Sequence, residues 1–447
     1  MTIDVDLYRA RRVRVLEAIA ARGGGVAIQP TAPEVLRNRD SEYPYRPDSY
    51  FYYLTGFAEP EAAVVLVARG ARRKSILFCR ARNEEREIWD GHRYGPERAR
   101  GVFGFDAAHP IERIDEELPK LLADAPALFY GIGATPRFDE RVQGWLGAVR
   151  ALARSGVTAP GALHDLHLVL DEMRLVKDDA EIATMRRAAA ISARAHVRAM
   201  KACRPGAPEY ALEAELWHEF RRQGAAGPAY TSIVAAGRNA CVLHYRAGAA
   251  ELHDGELCLI DAACELDGYA ADLTRTFPVN GRFSGPQRAV YDLVLAAQAA
   301  AIERVGPGRS FYAPHEAAVR VLTQGLIDLG LLAGSVDGAI ESGAYRHFYM
   351  HRTSHWLGMD VHDVGDYREP GTAADDGGER PWRRLTPGMA LTVEPGLYIR
   401  PAPNVPESFE HIGVRIEDDV LVTPAGCEVL THEAPKRPDD IEALMRG

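Results

Sequence analysis

Two aspartates flank a predicted turn in the segment ELCLIDAACELDGYAADLTRTFPV. Residues 265–268 are turn formers, and the apolar strands on either side contain Asp261 and Asp272. A tight turn centred near 266–267 places the two carboxylates opposite one another, with Cβ atoms about 5 Å apart. Like charges in apolar surroundings repel, and a bound cation between them would remove that repulsion. Two alternatives stay open: both aspartates face solvent, or one of them pairs with Arg275.

Three histidines and two more carboxylates follow later in the chain. His351, His355 and His362 fall within the fifteen residues HRTSHWLGMDVHDVG. Glu394 lies in the apolar stretch MALTVEPGLYI, and Glu417 lies in VRIEDDVLV. Taken singly, each histidine is explained by a structural hydrogen bond, and each glutamate by an edge strand or a salt bridge. Their chemistry becomes informative when they are considered together with the two aspartates.

The combined set has the composition of a metal centre. Two Asp, two Glu and one His carry four negative charges, which balance two divalent cations. Oxygen ligands with a single imidazole favour a hard ion such as Mn²⁺, although cobalt and zinc also fit such a set. Two metal ions about 3.5 to 4 Å apart can share a water, lower its pKa and polarise a carbonyl group. The set therefore predicts a hydrolytic site, in which strand alternation places Arg415 beside Glu417.

The composition is that of an ordinary folded protein. Of the 447 residues, 47% are hydrophobic and 26% are charged, which argues against a disordered or coiled-coil chain. The net charge of -10 provides no basic field for nucleic acid. No stretch contains the roughly 18 consecutive apolar residues of a membrane span, and the start lacks a signal-peptide pattern, so we expect a cytoplasmic protein. The six cysteines are scattered, and we expect structural thiols.

The first third of the chain predicts a mixed α/β domain. Runs of β-branched residues predict strands over 64–68 and 75–79, and helical periodicity covers 111–123. Near 170–180 the chain enters a long helical pattern with apolar residues at three- and four-residue steps. We therefore place a domain boundary after residue 172.

The remaining residues, 173–447, predict an α+β domain. Helices are expected over 209–223, 287–305 and 314–332, and each pair of helices is followed by strands. The order helix, helix, strands therefore occurs twice, which suggests two similar halves with helices covering a mainly antiparallel sheet. The Gly-, Pro- and charge-rich segment 368–384 predicts a surface loop.

The candidate ligands and their flanking sequences resemble the metallopeptidase family that includes aminopeptidase P, prolidase and methionine aminopeptidase. In that family the metal ligands occur in the order Asp, Asp, His, Glu, Glu, and the matching residues are Asp261, Asp272, His355, Glu394 and Glu417. SHWLGMDVHDVG, LTVEPGLYI, GVRIEDD, NACVLHY and the amino-terminal RNRDSEYPYRPDSYFYYLTGFAEPEAAVVL resemble the aminopeptidase P branch over nearly the whole chain. The resemblance implies an aminopeptidase P-type domain over 1–172 and a pita-bread catalytic domain over 173–447.

The resemblance implies an exopeptidase that removes the first residue from peptides whose second residue is proline. The Xaa-Pro bond has no N–H, so a dedicated pocket is needed to recognise it. We expect two divalent metal ions, with Mn²⁺ favoured, and a bridging hydroxide that attacks the carbonyl. Three residues are expected to take part in catalysis: Glu394 relays a proton to the leaving proline nitrogen, His362 helps to bind the oxyanion, and His351 lines the reacting groups.

Further roles are also implied by the resemblance. The residues expected to bind substrate are His244, His351, His362, Arg415, Tyr230 and Trp89. Tyr398 and Arg415 match positions that hydrogen-bond the metal-ligating carboxylates, and Asp40 is expected to pair with Arg415. Trp89, in EIWDGHRYG, resembles a tryptophan that reaches the active site of a neighbouring subunit, which implies a homodimer or homotetramer.

Two features depart from the family pattern. Arg352 occupies a position where glycine is more usual, and the loop over 368–384 is longer and more acidic. They leave open which peptide length is accepted, and whether Arg383 or Arg384 replaces a family arginine that holds the substrate. Two rival functions remain, a prolidase specific for Xaa-Pro dipeptides and a non-catalytic binding module. The sequence also leaves open the physiological metal, the preferred first residue, the natural substrates and the oligomer size.

Overall fold

The computed structural model describes residues 4–372 and 378–446, which form two compact units. The units are Met1–Glu172 and Met173–Gly447, so the division falls within helix α7. The helices are α1 Val5–Ala21, α2 Ser49–Thr55, α3 Glu84–Asp90, α4 Gly95–Val102, α5 Ile114–Leu122, α6 Pro136–Ala151, α7 His167–Leu175, α8 Asp179–Ala202, α9 Glu209–Arg222, α10 Gly285–Ile302, α11 Ala313–Asp328, α12 Val336–Glu341 and α13 Pro438–Arg446. That the units fold as separate domains stays a prediction.

The amino-terminal unit contains a six-stranded mixed sheet and a small exposed hairpin. The strands are β1 Gly25–Pro30, β2 Leu36–Asn38, β3 Ser41–Glu42, β4 Ala63–Arg69, β5 Arg72–Cys79, β6 Ala107–Pro110, β7 Ala127–Phe129 and β8 Ala162–His164. The sheet order is β6-β5-β4-β1-β7-β8, with antiparallel pairing at its centre and parallel pairing towards both edges. The mixed α/β expectation is confirmed, including the strands expected over 64–68 and 75–79.

Helices of the second unit begin where the sequence provides capping groups. Asp178 accepts a hydrogen bond from the backbone N–H of Glu181, whose side chain returns to the N–H of Asp178, so a capping box begins α8. Ser284 and Gln287 form the same arrangement at α10. Buried apolar residues of these helices, such as Leu216 and Val294, belong to one core that also includes the central strands. The helices expected over 209–223, 287–305 and 314–332 are all present.

Strands of the second unit form small antiparallel sheets. They are β9 Gly227–Pro228, β10 Ile233–Ala236, β11 Leu257–Asp261, β12 Cys264–Leu266, β13 Tyr269–Ala270, β14 Thr274–Pro278, β15 Ala390–Val393, β16 Gly396–Ile399, β17 Ile412–Arg415, β18 Asp418–Thr423 and β19 Gly426–Val429. The sheets are β10-β11-β14, β13-β12-β9, β15-β18-β19 and β16-β17. The repeated order of helices and strands and the α+β class are therefore confirmed.

The turn of the hairpin is centred one residue later than expected, which moves the strand pairing by two residues. Asp267 and Gly268 both have positive φ, at 54° and 82°, so the turn is centred between them. Asp261 consequently pairs with Thr274, and Asp272 lies on the diagonal. The expected directly opposed aspartates are wrong for this reason, although diagonal neighbours still share one face of the hairpin.

The segment 368–384 is only partly the surface loop that its composition suggests. Residues 373–377 lie outside the described residues, and 378–381 are exposed. Arg368 and Trp382 form an antiparallel bridge, and Arg383 is buried. The surface-loop expectation is therefore wrong for Trp382 and Arg383, because Trp382 stacks face to face on Tyr312 and Arg383 is buried, whereas Arg384 is exposed.

Other expectations concern thiols and membranes. All six cysteines are free, and Cys79, Cys258 and Cys264 are buried, as expected for structural thiols. Across the part of the chain that the structure describes, no helix combines the length and apolar character needed to cross a membrane.

Gly413 in β17 packs closely against the backbone of Ala240, and a substitution can test this contact. A Cβ atom on Gly413 would lie 2.5 Å from the backbone carbon and oxygen of Ala240. We expect Gly413→Ala to lower the free energy of unfolding by about 1 to 3 kcal/mol, because backbone must move to admit the methyl group. Urea unfolding measures the change. Gly285→Ala, where no heavy atom lies within 4 Å, should stay within about 0.5 kcal/mol of wild type.

Candidate metal centre and substrate cavity

A cavity of about 670 Å³ lies in the second unit. Its wall brings together most of the residues that the sequence selects: Asp261, Asp272, His355, Glu394, Glu417, Tyr230, His244, His351, His362 and Arg415. Side chains that are far apart in sequence meet here because β11, β14 and β17 and the segments beside them end at this cavity. The candidate metal and substrate residues are therefore neighbours in one site.

Three of the five candidate ligands form a compact group. Asp272, His355 and Glu417 each offer one ligand atom, and these atoms lie within 4.8 Å of one another. The Nε2 atom of His355 is 3.4 Å from Oδ2 of Asp272 and 3.6 Å from Oε1 of Glu394. The other ring nitrogen, Nδ1, lies 2.9 Å from the carbonyl oxygen of Trp356. A hydrogen bond donated by Nδ1 leaves Nε2 directed at the carboxylates, as in histidine ligands of metals.

Asp261 is joined to this group by a tyrosine and an arginine. The hydroxyl of Tyr230 lies 2.6 Å from Oδ1 of both Asp261 and Asp272, so its single proton serves one carboxylate at a time. Arg415 donates from Nη2 to Oδ2 of Asp261 at 2.6 Å. The two aspartates therefore converge despite their diagonal register.

The electrostatics of the group favour bound cations. Burial raises the pKa of Glu394 to about 7, against the opposing charges of His355 and Arg415. Burial, and then repulsion from Asp272 and Glu394, raises the pKa of Glu417 well above its ordinary value. The neighbouring carboxylates raise the pKa of His355 to about 9, although burial opposes them. Carboxylates this crowded are stabilised by divalent cations, and four carboxylates with one imidazole fit a hard or borderline metal ion.

Arg415 holds several side chains of the cavity at once. Besides Asp261, its guanidinium donates to Oγ1 of Thr274 at 3.1 Å and to the hydroxyl of Tyr398 at 2.8 Å. Thr274 in turn donates to Oε2 of Glu417 at 2.6 Å. Arg415 and Glu417 are thus neighbours, as strand alternation predicts, but a threonine hydroxyl joins them rather than a direct ion pair.

Both ring nitrogens of His351 are engaged. Nε2 lies 2.8 Å from the hydroxyl of Tyr398, which already accepts from Arg415 and therefore donates to the ring. Nδ1 lies 2.7 Å from the carbonyl oxygen of Arg352. Burial, and then the charge of Arg415, lowers the pKa of His351 to about 3. His351 is therefore a neutral and fixed part of the cavity wall. This arrangement does not favour a role for His351 in proton transfer.

Comparisons with known proteins bear on this arrangement. Metallopeptidase family M24 matches residues 183–424, and the aminopeptidase P N-terminal domain matches residues 8–130. A Xaa-Pro aminopeptidase of Escherichia coli (strain K12) is 46% identical over 439 residues, which cover 98% of this chain and 97% of that protein. The chain belongs to the aminopeptidase P branch of metallopeptidase family M24.

Solved structures of aminopeptidase P proteins share the whole architecture. The Pseudomonas aeruginosa aminopeptidase is 53% identical, with a TM-score of 0.93 and 98% coverage of both chains. A zinc-substituted Escherichia coli aminopeptidase P in complex with product is 45% identical, with a TM-score of 0.94 and coverage of 100% of this chain and 99% of that one. The predicted family and two-part fold are confirmed.

The remaining residues selected by resemblance to aminopeptidase P occupy different places. The ring of His362 lies 4.1 Å from that of His355, centroid to centroid, and His244 is an exposed part of the cavity wall. Tyr398 is fully buried and reaches the cavity through its hydrogen bonds. In the amino-terminal unit, Trp89 is 81% exposed and Asp40 is exposed. The roles of Trp89 at a neighbouring subunit and of Asp40 beside Arg415 stay predictions.

The sequence left open whether Arg383 or Arg384 holds the substrate, and their positions bear on this question. Neither Arg383 nor Arg384 lines the cavity, whereas Arg352 does. Arg384 donates to the carbonyl oxygen of Gly308 at 3.0 Å. The departure from the family pattern at Arg352 therefore changes the cavity wall itself.

Sequence reasoning missed Glu209, which holds the loop that contains His244. Glu209 begins α9 and is completely buried. Its Oε1 accepts from the backbone N–H of Ala236 at 2.9 Å and from Asn239, and its Oε2 accepts from Tyr245 and from the N–H of Gly248 at 3.2 Å. The only local signal, a glutamate after a proline at a helix start, indicates a helix terminus and nothing more.

Sequence reasoning also missed two other residues that support the ligands. One is Thr274, the threonine between Arg415 and Glu417. The other is Asp419, whose two carboxylate oxygens each lie 3.2 Å from the backbone nitrogen of Asp272. Three consecutive acidic residues in GVRIEDD are a signal for the latter, since they are unusual beside buried apolar residues. Arg275 pairs with Asp418 at 2.7 Å, so the alternative of a pair with Asp261 or Asp272 is wrong.

The role of Glu209 can be tested without reference to catalysis. In Glu209→Gln an NH2 group replaces one of the two acceptor oxygens. Two of the four groups that donate hydrogen bonds to Glu209 then face a donor instead of an acceptor. We expect hydrogen exchange at Ala236 and Gly248 to become about tenfold faster, since a charged hydrogen bond contributes about 1.5 to 3 kcal/mol. Mass spectrometry of exchanged peptides measures this. Glu215→Gln, on the same helix and paired with Arg198, should leave the 236–248 loop unchanged.

Proposed function

We propose that this chain releases the amino-terminal residue from peptides that have proline in the second position. The observation that carries the proposal is the convergence of Asp261, Asp272, His355, Glu394 and Glu417 on one cavity. The match to the aminopeptidase P N-terminal domain and the similarity to Xaa-Pro aminopeptidases over 98% of the chain support the same specificity.

We propose two divalent cations, preferably Mn²⁺, as the cofactor of this site. Four carboxylates supply the charge for two such ions, and the oxygen-rich donor set suits manganese better than a structural zinc. Bound cations would generate a nucleophile from water near neutral pH and polarise the substrate carbonyl.

Residues of the chain carry out the remaining steps. Glu394, which lies 3.6 Å from His355, takes up the proton released by the attacking water and passes it to the leaving proline nitrogen. His362 donates a hydrogen bond to the carbonyl oxygen as negative charge develops there. His351, fixed by Tyr398, maintains the shape of the wall beside Glu394.

The cavity wall also suits a substrate with an Xaa-Pro bond. The proline nitrogen has no N–H to donate, so recognition depends on contacts with the pyrrolidine ring. Ile233, Leu243 and Val361 provide apolar surface in the wall.

Peptide length separates the proposed activity from that of a prolidase. We expect Mn²⁺-dependent release of the first residue from a tripeptide Xaa-Pro-Xaa, and little cleavage of the dipeptide Xaa-Pro, measured by chromatography of the products. Asp272→Ala should lower kcat/KM by at least a hundredfold, because a ligand of the compact group is lost. Glu394→Gln should retain metal, measured by elemental analysis, and lose turnover.

The controls decide between the alternatives. Cleavage of the dipeptide alone would favour the prolidase, and a chain that binds no stoichiometric metal and cleaves neither peptide would favour a binding module. A Glu394→Gln variant with both metals and full turnover would contradict the proton relay assigned to Glu394.

We also propose a homodimer or homotetramer in which Trp89 contacts a neighbouring copy. Ile88 and Trp89 are each 81% exposed on α3, which is unusual for two adjacent large apolar side chains. Light scattering should give a mass that is a multiple of the chain mass, and Trp89→Ala should lower it or reduce kcat/KM. Trp217→Ala, which removes a 45% exposed tryptophan of the second unit, should do neither. A Trp89→Ala variant with the mass and kcat/KM of the wild type, or a monomeric wild type, would refute this role.

A cytoplasmic location belongs with these proposals. Six free cysteines without a disulfide are compatible with a reducing compartment.

A further inference from the structure

Two exposed arginines line the cavity in addition to buried Arg415. They are Arg246, on the loop after β10, and Arg352, next to His351. Among residues 4–372 and 378–446, no carboxylate oxygen lies within 4.0 Å of either guanidinium group. The wall therefore presents two positive charges that the described part of the chain does not neutralise, beside a cluster of carboxylates.

Arg352 lies over one aromatic ring. Its guanidinium carbon lies 5.2 Å from the ring centroid of Trp382. Trp382 is itself stacked on Tyr312, with centroids 4.6 Å apart and planes 3° from parallel. A guanidinium placed over an aromatic ring loses less conformational entropy when it binds a partner, and its fork of donors matches a carboxylate.

The charge of a peptide substrate determines which of its ends can approach these arginines. The scissile bond is the first of the peptide, so the amino-terminal ammonium group lies close to the carboxylates of the ligand group, and Arg246 and Arg352 repel it. The part of the peptide that follows the scissile bond must extend away from those carboxylates. A carboxylate located after the proline is therefore the substrate group that complements the two arginines.

We infer that Arg352, assisted by Arg246, binds a carboxylate of the substrate beyond the proline, and so favours acidic or short peptides. The carboxylate is either an acidic side chain at the third position or the carboxyl terminus of a tripeptide. The inference rests on the proposed aminopeptidase activity and specifies its substrate class.

Four tripeptides separate the two sources of the carboxylate. They are Ala-Pro-Asp-amide, its neutral isostere Ala-Pro-Asn-amide, Ala-Pro-Gly with a free carboxyl terminus, and Ala-Pro-Gly-amide. For the manganese-loaded wild type we expect kcat/KM to be three- to tenfold higher for at least one carboxylate-bearing peptide than for its neutral partner. The difference should decrease as ionic strength rises, because the arginines are exposed.

Variants assign the preference to Arg352. Arg352→Gln should bring the ratio of carboxylate to neutral peptide close to one, Arg352→Lys should retain part of it, and Arg246→Gln should reduce it less. Because each ratio is measured within one variant, a loss of folded enzyme cancels. Arg368→Gln is the matched control: the Arg368 guanidinium carbon also lies over Trp382, at 3.7 Å, but the residue does not line the cavity. Its ratio should equal that of wild type.

Failure of the inference and failure of the proposed function give different results. Equal kcat/KM for both members of each pair, or a ratio that survives Arg352→Gln, would overturn the carboxylate subsite while leaving the aminopeptidase intact. If no peptide is cleaved, the proposed function fails. Calorimetric binding of the same four peptides then still decides whether Arg352 selects a carboxylate.

Discussion

The crowding of carboxylates in a buried cavity is the constraint on which the rest of the second unit depends. Burial and repulsion from neighbouring carboxylates raise the pKa values of Asp261, Glu394 and Glu417, and Arg415 is a permanent cation that bonds Asp261 directly. Such an arrangement is unfavourable unless cations bind or surrounding groups donate hydrogen bonds. Tyr230 donates to Asp261 or Asp272, one at a time, and Thr274 donates to Glu417, so nearby hydroxyl groups help to hold this negative charge in place.

The cavity wall contains two kinds of charged group. The carboxylates of the ligand group are largely buried and would be balanced by bound cations, whereas Arg246 and Arg352 are positive and exposed. Nδ1 of His351 lies 3.8 Å from Oε2 of Glu394 and bonds the backbone of Arg352, and the neutral ring adds no charge to the wall. Arg246 and Arg352 repel the positive start of a peptide and attract its negative end, which favours one direction of binding.

The sequence predicts the ligands better than it predicts their supports. The five candidate ligands and the order of elements follow from local patterns or from resemblance. The hairpin register was available in the sequence, because Asp267-Gly268 is a preferred pair for a two-residue turn with positive φ at both residues, and centring the turn one residue earlier gave the wrong pairing. Glu209 and Thr274 were missed because their hydrogen bonds join residues distant in sequence, which leave no periodic signal.

The distribution of the ligands along the chain has a consequence for folding during synthesis. Asp261 belongs to β11 and Glu417 lies between β17 and β18, and Arg415 on β17 supplies the guanidinium that holds Asp261. A nascent chain released from the ribosome only as far as α12 would contain the aspartates without their arginine or either glutamate. The complete ligand set therefore arises only when nearly the whole second unit has emerged, which ties the appearance of the metal site to completion of the fold.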